Sequence, residues 1–301
     1  MQYVTCNLCG ATDTRLRFPS TLPDDTLPHS PEAFRCTHSG YGYHYTIVQC
    51  KSCGLVYTNP RLDGEQILDS YVAVEDPLYL QERDGRVLTF ERHLRPLEKQ
   101  KPPPGRLLDV GAYTGVFVEI AARSGWDAWG LEPSHWAVSE ARKQGLQMIE
   151  GTLESVDLPE ADYDVVTLWD VIEHVTDPFG EFRRAHRLLK PGGLLVVHTM
   201  DIDSLFARAM GGRWPWLMEM HIYFFSRRTL SAMLEKAGFR VIRVAPQGRY
   251  LRLGYFATRI GGLLGPPLGR ALGGLFRLLR LSETPIPINL GDLVTAHALK
   301  Q

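Results

Sequence analysis

Beyond the run Lys101-Pro102-Pro103-Pro104-Gly105, apolar strand-like segments alternate with helix-patterned ones, and this alternation limits the fold more than any other feature. Strands are expected over Arg106–Val110, Ala128–Leu131, Gln147–Glu150, Asp164–Leu168, Leu194–Thr199 and Arg240–Ala245. Helices are expected over Val116–Ser124, Trp136–Gln144, Phe179–Leu189 and Arg228–Ala237. Parallel strands need crossover connections, and helical crossovers cover both faces of the sheet they join. The pattern therefore predicts a doubly wound α/β sheet. The proline run marks its upstream boundary, because proline cannot continue a helix.

All five cysteines lie in the first 53 residues: Cys6, Cys9, Cys36, Cys50 and Cys53. Cys6-x-x-Cys9 and Cys50-x-x-Cys53 have the same spacing, and each is followed by glycine (Gly10, Gly54). Such a turn aims two thiolates at one point, and two turns together make a tetrahedral site suited to zinc. With four cysteines and no open position, the metal is expected to be structural; the alternative is a pair of redox C-x-x-C motifs. Cys36, near His38 and His44, is the odd one out, a substitute ligand or a loop thiol. The Pro-rich stretch from Phe18 to Phe34 reads as loop, and HYTIVQC with LVY as a hairpin around the second turn. The expected organisation is a zinc-ribbon module (1–60), a helical linker (61–104), an α/β core (105–248), and an Arg-rich apolar insertion with a terminal strand (249–301).

Chemistry concentrates at the carboxyl ends of the expected strands. LLDVGAYTG contains Asp109, Gly111 and Gly115, small residues that let backbone approach a ligand at a helix N-terminus. Glu132 follows Gly111 by 21 residues and ends the next strand; an acid at that distance can accept both hydroxyls of a ribose.

These residues resemble the class I S-adenosylmethionine (SAM)-dependent methyltransferases, over roughly Arg106 to Val244. DVGAYTG resembles that family's Asp-x-Gly-x-Gly-x-Gly loop, with Tyr113 in place of the middle glycine. Gly151-Thr152-Leu153-Glu154, YDVVTLWDVIEHVTDP (Tyr163 to Pro178), LLKPGGLLVV and HIYFFSRRTLSAMLEKAGF follow in the family's order. The resemblance implies a Rossmann-like seven-stranded methyltransferase sheet. It implies that SAM is held by Asp109, Gly111, Tyr113, Gly115, Glu132, Leu153, Glu154 and Asp170. It implies methyl transfer to a small-molecule, sugar or lipid-linked glycan acceptor, O-methylation before C- or N-methylation. A non-catalytic SAM-binding module, whose ribbon binds a partner, is the alternative. His174 and His221 are the candidate bases, and Glu219 is a further one; alternatively His174 shapes its turn and His221 anchors its loop. Trp214-Pro215-Trp216, Phe224 and Phe225 either wall the acceptor pocket or cap the sheet.

Between Arg249 and Ser282 stand six arginines (249, 252, 259, 270, 277, 280) and no Asp, Glu or Lys, so the remaining residues carry −7 against the chain's net −1. Apolar surface with arginine suits the interface of an anionic membrane; the alternative is a lid packed on the core. Asp292–Leu299 is the expected last strand, an antiparallel one inserted beside the sixth. A net charge of −1 disfavours a nucleic-acid coat. No apolar run reaches the ~18 residues of a spanning helix, and the N-terminus lacks a signal-peptide pattern. A cytoplasmic protein, with membrane association through 249–282 as the alternative, is expected.

Overall fold

The computed structural model describes residues 1–22, 34–37 and 41–301; His38 and most of the Pro-rich loop lie outside the described residues. The N-terminal module contributes β1 (Thr14–Phe18), β2 (Ile47–Cys50) and β3 (Val56–Thr58). Three helices follow: α1 (Gly64–Val72), α2 (Pro77–Gln81) and α3 (Arg83–Glu98). Then come β4 (Arg106–Val110), α4 (Val116–Arg123), β5 (Asp127–Glu132), α5 (His135–Lys143), β6 (Met148–Glu150), β7 (Tyr163–Trp169), α6 (Pro178–Leu188) and β8 (Leu189–Met200). The chain continues through α7 (Leu205–Met210), β9 (Tyr223–Phe224), α8 (Arg227–Lys236) and β10 (Phe239–Pro246). It ends with β11 (Arg249–Arg252), α9 (Leu253–Leu264), α10 (Pro266–Leu278), β12 (Pro285–Ile288) and β13 (Leu293–Lys300).

Seven strands form the main sheet in the order β10-β13-β8-β7-β4-β5-β6, the Rossmann-like arrangement expected. The five strands β4 to β8 run parallel. Their near-continuous apolar runs, such as β7 and the second half of β8, suit burial on both faces. The last strand, β13, is antiparallel to both neighbours and sits between β8 and β10. Helix ends are set by local chemistry. Asp177 caps α6 with Pro178 in its first turn, and Ser226 with Thr229 forms a reciprocal capping box on α8.

Two features position the functional site. First, the chain winds outward from β4 through β5 to β6, then returns to place β7 on the other side of β4. That reversal opens a crevice at the carboxyl ends of β4 and β7, where ligands bind in such sheets. Second, the N-terminal module is not an appendage. Its sheet has the order β1-β2-β3-β9, so β9 from the core completes it. Cys6, Val48, Leu55 and Tyr57 share one buried apolar cluster with Phe182, Phe225 and Leu230.

Candidate active site

The loop after β4 is a strained turn that only its sequence permits. Gly111 has φ +69°, and a Cβ there would stand 2.5 Å from Val171 Cγ2. Tyr113, at the position of the family's middle glycine, also has positive φ (48°). Two buried carboxylates flank the turn. Glu132 accepts the backbone N–H groups of Tyr113 and Ser134, each at 2.9 Å. Asp109 accepts the Thr167 hydroxyl at 2.6 Å. Burial pushes Asp109 up to about 8 and Glu132 up to about 7. Gly111→Ala is expected to force the loop outward. A left-handed alanine costs roughly 1–2 kcal/mol, so titration calorimetry should show SAM affinity reduced about tenfold or more.

The crevice holds two chambers. The first, about 300 Å³, is lined by Asp109, Gly111, Tyr113, Asp170, His174 and His221 among others. The second, about 660 Å³, is lined by Leu131, Gly151, Leu153, Glu154 and Val171. Gly111, Tyr71, His174 and Met220 belong to both, so the chambers meet at the glycine loop. Glu132 and Gly115 line neither: Glu132 is fully buried beneath the loop, and Gly115 begins α4 with φ +75°.

His174 and His221 face one another, with ring centroids 4.9 Å apart. His174 Nδ1 lies 2.9 Å from the Met220 carbonyl and His221 Nδ1 lies 2.7 Å from the Trp216 carbonyl. A carbonyl oxygen only accepts, so each Nδ1 carries the proton and each Nε2 keeps its lone pair. Burial lowers both, His221 to about 3, so both rings are neutral at physiological pH. Ligand-type atoms of Glu173, His174 and His221 lie within 4.8 Å of one another, a spacing that could hold a cation. Glu173 is buried, accepts the Thr199 hydroxyl at 2.9 Å, and is pushed up to about 8 by burial and by Asp170.

Asp170 directly follows β7, with φ +55°. Burial would raise it, but Arg249 at 3.3 Å and the nearby His198 hold it below the ordinary carboxylate value. Arg249 also lies 5.1 Å from the Trp216 ring centroid. Of the expected aromatic wall, Pro215 and Trp216 line the first chamber. Trp214 instead donates to Asp292, and Phe224 and Phe225 are buried in the core. Glu219 accepts the Tyr45 hydroxyl at 3.3 Å and is pushed up to about 7 by burial; it lines neither chamber.

Three arginines of the insertion are tied to the body: Arg249 to Asp170, Arg252 to Glu82 at 2.6 Å, and Arg259 to the Tyr41 hydroxyl and the Cys36 carbonyl. The sequence reading missed Arg86. Its guanidinium lies 3.5 Å from the Tyr79 ring centroid, its buried Nε lacks a hydrogen-bond partner, and it lines the first chamber. It makes no ion pair among the described residues. The signal lay in α3, a helix whose inward face is invisible without its neighbours. Cys36 also lines this chamber.

The four remaining cysteines converge. Cys6 and Cys53 Sγ atoms are 3.4 Å apart, Cys9 and Cys50 3.6 Å, and all four lie within 4.8 Å. None forms a disulfide. Four sulfurs at ~2.3 Å from a tetrahedral zinc would be about 3.8 Å apart, so the donor set fits that ion. Gly10 (φ +77°) and Gly54 (φ +82°) close the two turns, as their placement after each pair implied.

Comparison with known proteins agrees with this geometry. Ubiquinone biosynthesis O-methyltransferase of Bradyrhizobium sp. (strain ORS 278) is 34% identical over 137 residues, covering 43% of this chain and 53% of that protein. The protein of the same name from Azorhizobium caulinodans is 32% identical over 167 residues, covering 51% and 64%. The chain spans about half the length of most of the curated relatives it matches. A SAM-dependent methyltransferase structure from Archaeoglobus fulgidus superposes with TM-score 0.50 at 18% identity, over 75% of this chain and all of that one, a likeness of fold. A methyltransferase-domain family pattern matches residues 80–244, more than half of the chain, and the protein belongs to the class I SAM-dependent methyltransferases.

Proposed function

We propose that this protein transfers a methyl group from SAM to a hydroxyl oxygen of a small, largely apolar acceptor. The observation that carries this reading is the junction of two chambers at Gly111, with two neutral imidazoles beside it. The comparisons support small-molecule O-methylation and offer nothing for a sugar or lipid-linked glycan. The apolar lining of the first chamber, including Met200, Phe206, Trp216 and Leu263, fits the same acceptor class.

SAM supplies a methyl group already activated by its positive sulfur, so alignment is the main demand on the protein. The apolar walls of the second chamber, Leu131, Leu153 and Val171, suit the adenine ring, with Glu154 at its edge. Glu132, buried beneath the glycine loop, keeps that loop in place through the backbone N–H groups of Tyr113 and Ser134. Asp109, Tyr113 and Asp170 lie on the first-chamber side, toward the methionine end. Arg86, without an ion-pair partner, suits the cofactor carboxylate. His174, at the junction, accepts the acceptor's hydroxyl proton at Nε2, and His221 packs against it.

One observation favours a second reading of the same site. Glu173, His174 and His221 would hold a divalent cation, which would lower the acceptor hydroxyl's pKa in place of a general base. The test is transfer of label from methyl-labelled SAM to phenolic acceptors, with and without chelator. Transfer that survives chelation supports the base, transfer lost on chelation and restored by added Mn²⁺ but not by Zn²⁺ supports the cation, and bound SAM with no transfer to any acceptor overturns both. Arg86→Gln is expected to weaken SAM binding about tenfold or more, through a lost charge-assisted contact of ~1.5–3 kcal/mol. Unchanged affinity by calorimetry would remove Arg86 from the cofactor site. In the N-terminal module, Cys6, Cys9, Cys50 and Cys53 would hold a structural zinc.

A further inference from the structure

Helices α9 and α10 form a hairpin through Gly265. Their backbones touch, since a Cβ on Gly269 would stand 2.6 Å from Gly261 Cα. Helix α9 packs inward with Tyr255 and Ala257 buried, whereas every residue of α10 keeps some exposure. The exposed Leu268, Ala271, Leu275 and Leu278 recur at intervals of 3, 4 and 3 residues, one face of a helix. Leu278 is 81% exposed, and Leu264 at the hairpin turn 62%. Leu279 and Leu281 extend the patch. Arg270 and Arg277, seven residues apart, form a row beside that face, and Arg280 follows. These three make no ion pair among the described residues. From Leu253 to Ser282 the chain has no Asp, Glu or Lys.

We propose that this hairpin lies in the interface of an anionic phospholipid bilayer, leucines among the acyl chains and arginines at the phosphates. A leucine face bordered by cations, with acids excluded from the segment, complements a surface that is apolar below and negative above. The helices have 12 and 13 residues. At 1.5 Å per residue that is roughly 20 Å, too short for a hydrocarbon core of about 30 Å. Among the described residues no helix is long and apolar enough to cross a membrane, so the hairpin lies on the surface.

The hairpin also connects that surface to the site. Phe256, Ile260 and Leu263 of α9 line the first chamber, and Leu290 both lines it and is 54% exposed. An apolar acceptor dissolved in the bilayer would therefore meet a continuous apolar path toward His174. That last step rests on the proposed methyl transfer; the docking itself does not.

Co-sedimentation of the full chain with vesicles tests the docking. Binding is expected to phosphatidylglycerol–phosphatidylcholine vesicles, weakened by salt, and far less to phosphatidylcholine alone. The double variant Arg270→Gln/Arg277→Gln should bind about thirtyfold more weakly, at roughly a kilocalorie per arginine near an anionic surface. Leu275→Asp/Leu278→Asp should abolish binding. Both variants should keep the wild-type melting temperature and SAM affinity. Failure of the wild type to bind, equal binding to both vesicle types, or undiminished binding by either variant overturns the proposal. So does a dimer in light scattering that Leu278→Asp dissociates, because a second copy would then cover the face. Vesicle binding without methyl transfer to any acceptor would leave the docking standing and remove the enzymatic reading.

Discussion

Cys50→Ser is expected to eliminate bound zinc, lower the melting temperature by about 10 °C or more, and abolish methyl transfer in the same protein. The magnitude follows from how small metal modules fold. A structural zinc in an isolated finger contributes on the order of 10–16 kcal/mol of apparent binding free energy, most of it realised as folding. Here β1, β2 and β3 are five, four and three residues long, too little for a core of their own. The coupling to activity is structural. β3 pairs with β9 through Val56 with Phe224 and Tyr57 with Tyr223. The Thr58 N–H donates to the Ile222 carbonyl at 2.9 Å, and the Thr58 hydroxyl donates to the His221 carbonyl at 3.4 Å. A released ribbon therefore frees the segment carrying His221. Elemental analysis should find one zinc per chain in the wild type and in Cys36→Ser, and none in Cys50→Ser. A metal-free wild type, or a Cys50→Ser variant with wild-type melting and turnover, would sink this account.

Much of the sheet was legible because its central strands are apolar on both faces and bounded by turn chemistry. The expected strand at Arg106–Val110 coincides with β4, and the expected last strand falls on β13. What escaped is what two distant segments make together. Tyr223–Phe224 is a two-residue strand with no pattern of its own, and it exists because β3 pairs with it. Strand β12 reads Pro-Ile-Pro-Ile, a composition that argues against a strand. It pairs with β11 alone, as an edge where prolines are tolerated. The arginine segment read as a uniform cationic block, yet Arg249 and Arg252 find Asp170 and Glu82, 79 and 170 residues away. Among the described residues, its distal arginines, Arg270, Arg277 and Arg280, make no ion pair.

The site divides along the same line. The glycine loop, Leu153, Glu154, Asp170 and His174 could be read from local motifs, and the fold gathers them around the crevice. Arg86 could not, because its segment carries no motif. Only the packing of the N-terminal helices brings it to the loop, and the matched domain pattern begins at residue 80, upstream of it. Glu132 shows the reverse case. Its spacing suggested ribose, while the geometry gives it two backbone N–H groups to hold.

His174→Ala is expected to reduce kcat by about 10²–10⁴-fold, the usual contribution of a positioned general base, while SAM affinity changes little. Its Nε2 is available because Nδ1 is committed to the Met220 carbonyl at 2.9 Å. Its ring stands where the two chambers meet, beside Gly111 and Met220. His221→Ala should cost less, because that ring acts on the acceptor by packing against His174 rather than from the junction. If the two histidines worked independently, the double variant would multiply the single losses. Acting as one unit, they should give a double variant little worse than His174→Ala alone. Single-turnover rates with labelled SAM separate the outcomes, because chemistry is then read apart from product release. His174→Ala with a wild-type single-turnover rate would show that the imidazole only shapes its turn and that the proton leaves by another route.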